Sequence, residues 1–241
     1  MTEHEALVRI EVRDSIKWMV LNRSAKANAL TVGMMEALAQ AIRDADAQED
    51  VRALVLCAPG ARIFCAGVDV KEQAPDGDAA RQRERRSVAL ARLQDTVLDS
   101  AKPIVVAVEG AAIGAGAMLA WLADACVAGA EASFSLPEID IGIPTFSGAS
   151  IVEAVAGRSA AMELVLTGRR MPAADAHARG LVRELAERGA LQEMAANLAA
   201  SLGAKGAHAY AQVKRWMNRG VKCALDEARK EHERHRAAIR R

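Results

Sequence analysis

The sequence predicts an α/β fold followed by a helical region, and three observations lead to this prediction. Strand-like and helix-like segments alternate from about residue 8 to residue 185. From Gly189 onward only helical patterns remain. Hydrophobic residues make up 51% of the 241-residue chain, which is enough for a substantial core. We therefore divide the chain into a core of residues 1–188, which carries the site, and a C-terminal helical region of residues 189–241.

The first two elements are predicted to form a β-hairpin. Residues 7–13 (LVRIEVR) alternate apolar and charged side chains, as a half-buried strand does. The apolar side of this strand consists of Val8, Ile10 and Val12. Asp14 and Ser15 follow as a turn, and residues 16–22 (IKWMVLN) are predicted to be the partner strand.

The next segments predict a helix, a buried strand and a polar stretch. Thr31 can cap a helix in which apolar residues recur at helical spacing. Residues 51–57 (VRALVLC) indicate a buried strand, and residues 58–69 (APGARIFCAGVD) a loop. Residues 71–86 are the weakest candidate for fixed structure. Their RQRERR run indicates a solvated helix face, or alternatively the rim of a site for a polyanionic ligand.

The later elements continue this alternation. Residues 87–100 and 159–167 have helical patterns, residues 103–108 (PIVVAV) predict a strand, and two short strands are predicted within residues 125–136. Pro172 and Gly180 bracket a further helix in the usual order, with proline near the start and glycine past the end. The charged tail contains His232 and His235, which we expect to be solvated. This tail is predicted either to cap the core or to form an oligomer interface.

A glycine- and alanine-rich stretch lies between Glu109 and Asp124. It contains no charge. The longer run of residues 103–123 has the length of a membrane span, but Glu109 lies inside that run and makes such a span costly. The dinucleotide pattern G-x-G-x-x-G fails at Leu119. Small residues before a helix instead let a ligand approach backbone N–H groups, which suits a developing negative charge. The small loop 63–69 (IFCAGVD) could supply a second N–H donor.

The overall composition narrows the expected partners and location. Lys and Arg number 32 against 31 Asp and Glu, which argues against nucleic acid as the main partner. The four cysteines form no CxxC pair and the five histidines form no ligand cluster, so we predict no metal site. We expect the cysteines to be reduced and the protein to be cytoplasmic, without a signal peptide and without a membrane partner.

Four segments together resemble the crotonase family, the enoyl-CoA hydratase/isomerase superfamily. They are NRSAKANAL, FCAGVDVKE, the long run KPIVVAVEGAAIGAGAMLAWLADACVAGAEASFSLPEIDIGIP, and LTGRRMPAADAHARGLV. The resemblance covers roughly residues 8–185, with the motifs in order. It implies a spiral of ββα units, C-terminal helices that build a homotrimer or a dimer of trimers, and an acyl-CoA thioester as substrate. It implies no cofactor other than the coenzyme A of the substrate.

The resemblance also implies which residues form the site. The backbone N–H groups of Ala66 and Ala115 would form the oxyanion hole. The segments SAKANAL and AGVDV match the region of relatives that binds adenine. The implied substrate-binding residues are Lys26, Ala27, Ala29, Ala66, Gly67, Val68, Asp69, Gly114 and Met118.

The chain departs from the family's hydratases at one of two glutamates. Hydratases of the family hold water with a glutamate four residues beyond the first glycine of the turn, and here that residue is Met118. The other glutamate is present as Glu138, the expected catalytic residue, in an apolar sequence that favours a raised pKa. A single base predicts Δ3,Δ2-isomerisation of enoyl-CoA. The alternatives are a hydratase that uses another group, or a catalytically silent CoA-binding protein; Asp140, with the same strand parity, could be a neighbour of the base.

Overall fold

Two β-sheets and a set of helices around them make up the fold. The computed structural model describes residues 6–60, 62–74 and 77–239. The strands are β1 (Val8–Arg13), β2 (Ile16–Leu21), β3 (Ala53–Cys57), β4 (Ile63–Cys65), β5 (Ile104–Val108), β6 (Ala111–Ile113), β7 (Ala125–Gly129), β8 (Ser133–Ser135), β9 (Met171–Pro172) and β10 (Glu184–Ala186). The helices are α1 (Val32–Ala47), α2 (Ala79–Asp99), α3 (Ala115–Leu122), α4 (Phe146–Thr167), α5 (Ala173–Ala178), α6 (Leu191–Gly203) and α7 (Ala207–Ile239). Two 3₁₀ turns, Ser24–Lys26 and Pro137–Ile141, complete the regular structure.

The chain advances through both sheets at once. The larger sheet has the strand order β1-β2-β3-β5-β7-β10, and the smaller one the order β4-β6-β8-β9. Each of three successive units contributes one strand to the larger sheet, one strand to the smaller sheet and then a helix. These units are β3-β4-α2, β5-β6-α3 and β7-β8-α4. The predicted α/β spiral of ββα units with a C-terminal helical region is therefore confirmed.

The central strands β2, β3, β5 and β7 of the larger sheet are buried on both faces, as is typical of parallel strands. Leu54 and Val106 point into the main apolar cluster, which lies against α1, α2 and α3. Val55 and Val105 point to the opposite face, where α6 covers them. They are the direct chain neighbours of Leu54 and Val106. The alternation follows from the two-residue period of a strand. Helix α6 is thus part of the core layer.

Several element predictions need correction. Strand β1 is not half-buried: Val8 is buried, but Ile10 and Val12 are 43% and 47% exposed, because β1 is an edge strand that the core covers only at its start. The predicted loop 58–69 contains β4, and α2 begins at Ala79, within the segment that we considered weakly ordered. Helix α4 also begins earlier than predicted, at Phe146, and is kinked at Gly157.

Some of the predicted segments extend beyond what the structure describes. Residues 1–5, 61, 75, 76, 240 and 241 lie outside the described ranges. They belong to the predictions for the N-terminus, the first loop, the polar stretch and the charged tail. Within the described ranges, no helix combines the length and the apolar character needed to cross a bilayer.

Helix α7 packs back onto its own chain. Its Leu225 is buried in the main cluster, and Lys214 donates to the Asp124 carboxylate at 2.6 Å and to the Lys102 carbonyl at 3.1 Å. His232 was expected to be solvated, but its ring meets Phe146 edge-on at 4.9 Å between ring centres. Burial, together with the charge of Arg236, lowers the pKa of His232. The tail is therefore at least in part a cap on the core.

Removing Lys214 should destabilise the fold strongly. The side chains of Lys214 and Asp124 are only 5% and 11% exposed, so Lys214→Ala leaves a buried carboxylate without its cation. We expect a loss of about 3 kcal/mol in the free energy of unfolding. The matched control is Lys222→Ala, which breaks an exposed α7 pair with Asp99 and should cost less than about 1 kcal/mol. Urea unfolding measures both, and equal losses would contradict this account of α7 docking.

Candidate active site

Two glycines bring separate loops into contact at the ends of the small sheet. Gly67, after β4, has φ +89°, and Gly114, before α3, has φ +53°. An ideal Cβ on Gly67 would lie 3.2 Å from the carbonyl oxygen of Ile113 and 3.5 Å from the nitrogen of Ala115. The loop after β4 therefore lies directly against the first residue of α3. This places the two predicted sources of backbone N–H donors side by side.

The N–H groups at this contact are not equally available. Ala115 is the first residue of α3, so its N–H has no intrahelical acceptor. The Ala66 N–H, however, donates to the Ala27 carbonyl at 3.0 Å. Ala66 was predicted as an oxyanion donor, and this hydrogen bond contradicts that assignment.

Within the described residues, Val68 offers an N–H donor in the same loop that makes no hydrogen bond. The Leu30 N–H donates to the Gly67 carbonyl at 2.8 Å, and the Asp69 N–H donates to the Leu30 carbonyl at 2.9 Å. In this parallel bridge, which pairs Leu30 with Val68, the N–H of Val68 itself points away from Leu30. The structure thus moves the available donor two residues along, from Ala66 to Val68.

Glu138 lies at the same contact. An ideal Cβ on Gly114 would lie only 2.9 Å from Glu138 Oε1, so the carboxylate rests directly against the glycine turn. Within the described residues, Glu138 Oε2 is buried and accepts no hydrogen bond. Burial raises the pKa of Glu138, and a hydrogen bond from its own backbone N–H only partly opposes this. A buried carboxyl group with an unsatisfied oxygen is costly for folding and is typical of a catalytic base.

The surroundings of Glu138 differ from those that the sequence suggested. Its neighbours Ile139 and Ile141 are exposed, so the low-polarity setting comes from the contact with the glycine turn rather than from adjacent residues. Asp140 does not share a strand with Glu138, because the segment is a 3₁₀ turn. Its carboxylate instead lies against Gly168, where an ideal Cβ would be 2.7 Å from Oδ2. Asp140 therefore packs against the C-terminal end of α4.

Met118 fills the position one helical turn beyond Gly114. It is buried, and its Cε would lie 2.9 Å from an ideal Cβ on Gly148, close to Leu136 and Thr145. Leu136 and Thr145 are the two ends of the segment that carries Glu138. Met118 thus packs beside the segment that carries Glu138.

Arg23 and Asn28 hold the loop of Asp69 in place, and neither was predicted from the sequence. Arg23 forms an ion pair with Asp69 at 2.7 Å and donates to the Ala29 carbonyl at 3.0 Å. The buried Asn28 accepts from the Arg23 N–H and donates to the Ile63 carbonyl. Partial burial alone would raise the pKa of Asp69, but the hydrogen bond and charge of Arg23 lower it. Asp69, predicted to bind substrate, is therefore engaged in holding the loop.

Arg86 supports the same loop from α2. It donates to the carbonyl groups of Asp69, Val70 and Glu72 at 3.0–3.2 Å. It belongs to the RQRERR run, which was predicted as a solvated face, and no local signal distinguishes it from its neighbours.

The predicted site residues lie in three segments that contact one another in sequence, and the turn of residues 114–118 contacts Glu138. Lys26 is exposed at the end of a 3₁₀ turn, and Ala27 and Ala29 follow it. Ala27 has φ +52°, which turns its carbonyl toward Ala66. The loop of residues 66–69 and the turn of residues 114–118 complete the group.

Comparison with known proteins identifies the class to which this fold and site belong. The family model described as "Enoyl-CoA hydratase/isomerase" matches residues 11–239. A putative enoyl-CoA hydratase/isomerase of Bacillus subtilis is 32% identical, over 86% of this chain and 79% of that protein. The 2,3-dehydroadipyl-CoA hydratase of Escherichia coli is 36% identical, over 76% of this chain and 71% of that protein. The crystal structure of an enoyl-CoA hydratase from Mycobacterium avium superposes with a TM-score of 0.84 at 26% identity, over 97% and 89% of the two chains.

The chain therefore belongs to the enoyl-CoA hydratase/isomerase family. It is an enzyme of the crotonase type, and its family acts on acyl-CoA thioesters.

Replacing Glu138 with glutamine should stabilise the protein at neutral pH. Because burial raises the pKa of Glu138, the folded state binds the proton more tightly than the unfolded state does. The stability that this carboxyl contributes is complete below its unfolded pKa of about 4.3 and is lost as the pH rises through the raised folded pKa. Glutamine is neutral and avoids the loss.

Urea unfolding at two pH values measures this difference. We expect Glu138→Gln to be more stable than the wild type at pH 7.5, and the gain to shrink toward zero at pH 4. The exposed Glu153→Gln on α4 is the control and should show no comparable gain. A Glu138→Gln protein less stable than the wild type at pH 7.5 would overturn this view of the carboxyl environment.

Proposed function

We propose that this enzyme is a double-bond isomerase that converts 3-enoyl-CoA into 2-enoyl-CoA thioesters, with Glu138 as its only acid–base group. The observation that carries the proposal is the Glu138 carboxyl group: its buried Oε2 has no partner among the described residues, and its Oε1 lies against Gly114, the residue before the first N–H of α3. Met118 supports it, because a thioether at the second glutamate position of hydratases can neither exchange a proton nor fix water for attack.

The proposed reaction moves one proton between two carbons of the acyl chain. The thioester carbonyl oxygen accepts hydrogen bonds from the N–H groups of Val68 and Ala115. Glu138 takes a proton from C2, and the electron pair of that C–H bond forms a dienolate whose charge lies on the thioester oxygen. Glu138, now protonated, returns the proton to C4, and the double bond moves to C2–C3. The raised pKa of Glu138 suits this role, because it lies closer to the high pKa of the C2–H bond of the substrate.

Substrate binding follows the same three segments. Residues 26–29 and 66–69 would border the coenzyme A portion, with Lys26 exposed and able to meet a phosphate. No cofactor beyond the coenzyme A of the substrate is needed for the proton transfer. A cytoplasmic location belongs to the same proposal and is supported by three buried free thiols, Cys57, Cys65 and Cys126, which suit a reducing compartment.

The second candidate function is the hydration of 2-enoyl-CoA. The names of the curated relatives favour it, since most of them say hydratase. In that reaction a group other than residue 118 would have to hold the attacking water against Glu138. Incubation with 3-enoyl-CoA and, separately, with 2-enoyl-CoA distinguishes the two candidates. Migration of the double bond without uptake of water indicates the isomerase. Formation of 3-hydroxyacyl-CoA indicates the hydratase.

Glu138→Gln should abolish isomerisation while leaving substrate binding nearly intact. General acid–base groups contribute about 10²–10⁴-fold in rate, and here one residue serves both steps, so we expect a loss at or above the top of that range. Binding should persist, because the proposed oxyanion donors are backbone N–H groups.

The measurement is the rate with 3-hexenoyl-CoA beside the dissociation constant of hexanoyl-CoA. The rate of the wild type should rise with pH through the raised pKa of Glu138, because the base must be ionised. A variant that keeps more than about a tenth of the wild-type rate would show that Glu138 is not the base.

The proposal includes assembly into a homotrimer or a dimer of trimers through the C-terminal region. Val213, Trp216 and Met217 of α7 are 57%, 66% and 72% exposed in the single chain, although they are large and apolar. Exposed apolar side chains grouped on one helix are typical of an interaction surface.

Light scattering tests the assembly directly. The wild type should give three or six times the chain mass of 25.6 kDa, and Trp216→Glu should shift it toward the monomer because a charge would be buried in the interface. Glu36→Gln, on the exposed side of α1, serves as the control. A monomeric wild type at micromolar concentration contradicts the assembly proposal.

A further inference from the structure

A buried glutamine, Gln94, connects helix α7 to the packing residue beside the base. Gln94 lies on α2 and is 2% exposed. Its Oε1 accepts a hydrogen bond from Arg229 of α7 at 3.3 Å. Its Nε2 lies 3.8 Å from the sulfur of Met118.

The direction of the Gln94 amide is fixed by the chemistry of Arg229. A guanidinium group can only donate hydrogen bonds, so the amide oxygen must face Arg229 and the NH₂ group must face Met118. Arg229 is itself held by both oxygens of Asp95, at 2.9 and 3.0 Å, and by the Ala91 carbonyl at 3.2 Å. The amide therefore cannot gain by turning over.

The NH₂ group of Gln94 lacks a strong acceptor. Within the described residues, the only atom to which it donates is the Met118 sulfur, and a thioether is a weak acceptor. A buried amide donor that meets only sulfur loses its hydration without full compensation. Such a group has hydrogen-bonding capacity left for a ligand.

The Gln94 amide and the segment that carries Glu138 lie on either side of the Met118 side chain. Met118 separates Gln94 from the segment that carries Glu138, since the Met118 Cε lies among Leu136, Thr145 and Gly148. Met118 also begins the second turn of α3, one turn after Gly114, against which the Glu138 carboxylate rests. An acyl chain that extends from a substrate held at Glu138 would reach Gln94 by displacing the flexible Met118 side chain.

We propose that Gln94 determines substrate specificity by donating an N–H to a neutral oxygen, a hydroxyl or a carbonyl, on the acyl chain of the thioester. The preferred substrates are then oxygenated acyl-CoA thioesters rather than plain hydrocarbon ones. A carboxylate is not favoured, because the charge of Arg229 is already paired with Asp95 and lies within 3.3 Å of Asp226. This inference rests on the site assigned under the proposed function, and it does not depend on which reaction that site catalyses.

The test is a comparison of binding between matched saturated acyl-CoA thioesters, which cannot be isomerised or hydrated. Each ω-hydroxyacyl-CoA, from 4-hydroxybutanoyl to 8-hydroxyoctanoyl, is paired with the acyl-CoA in which a methyl group replaces the hydroxyl. For example, 6-hydroxyhexanoyl-CoA is paired with heptanoyl-CoA. Calorimetry should show that the wild type binds the hydroxyl member at least about 10-fold more tightly at one chain length or more.

Gln94→Met removes the donor at similar volume and should reduce that ratio to below about 2-fold. Arg92→Gln, on the exposed side of the same helix, is the control and should keep the wild-type ratio. Hexanedioyl-CoA tests charge: a carboxylate that binds more tightly than the hydroxyl probes would overturn the proposal.

The wild-type ratio is decisive even if Gln94→Met does not fold. A wild type that binds both members of every pair equally, or a Gln94→Met protein that keeps the wild-type ratio, would refute the role of Gln94 while leaving the proposed function intact. If no acyl-CoA binds at all, both the role of Gln94 and the proposed function fail.

Discussion

The contact between Gly67 and Gly114 is the constraint on which the site depends. An ideal Cβ on either glycine would lie 3.8–3.9 Å from the Cα of the other, so the two backbones touch. Both residues have positive φ, a conformation that glycine adopts without the cost that other residues incur. The contact aligns the loop after β4 with the start of α3, and it leaves room for the Glu138 carboxylate on the other side of Gly114. Any side chain at these positions would push the backbone N–H groups and the Glu138 carboxylate apart.

The same region contains polar groups whose hydrogen-bonding capacity is not fully used in the folded chain. Glu138 Oε2 has no partner among the described residues, and the Gln94 NH₂ has only a thioether. Such groups reduce stability, and the fold compensates through a dense apolar cluster and through buried ion pairs such as Lys214 with Asp124. The polar groups that folding leaves unsatisfied are thus the ones available to a substrate. This pattern is what a functional trade-off between stability and activity would produce.

Helix α7 links the periphery of the molecule to this site. Arg229 reaches across to α2, where it positions Gln94, and Phe146 at the start of α4 meets His232. The C-terminal region is therefore more than an appendage to the ββα spiral. Through Arg229, it holds the side of α2 that faces Met118. The same helix, α7, leaves Trp216 exposed.

The sequence by itself determined the order of strands and helices, because these follow from patterns among neighbouring residues. The Thr31 cap of α1 and the glycine stop at Gly168 are of this kind, and both are present in the structure. The ordered motifs also identified the family and pointed to Glu138 and Ala115. These features needed no knowledge of which distant segments meet.

Tertiary structure decided how each group at the site is satisfied. Whether the Ala66 N–H is free depends on Ala27, and the environment of Glu138 depends on Gly114, 24 positions earlier in the chain. The partner of Gln94 is Arg229, 135 residues away. Hydrogen-bond occupancy and desolvation are set by atoms that are close in space but remote in sequence, and local periodicity carries no information about them. For that reason the sequence predicted which segments form the candidate site, and only the folded chain showed which of their donors and acceptors remain free among the described residues.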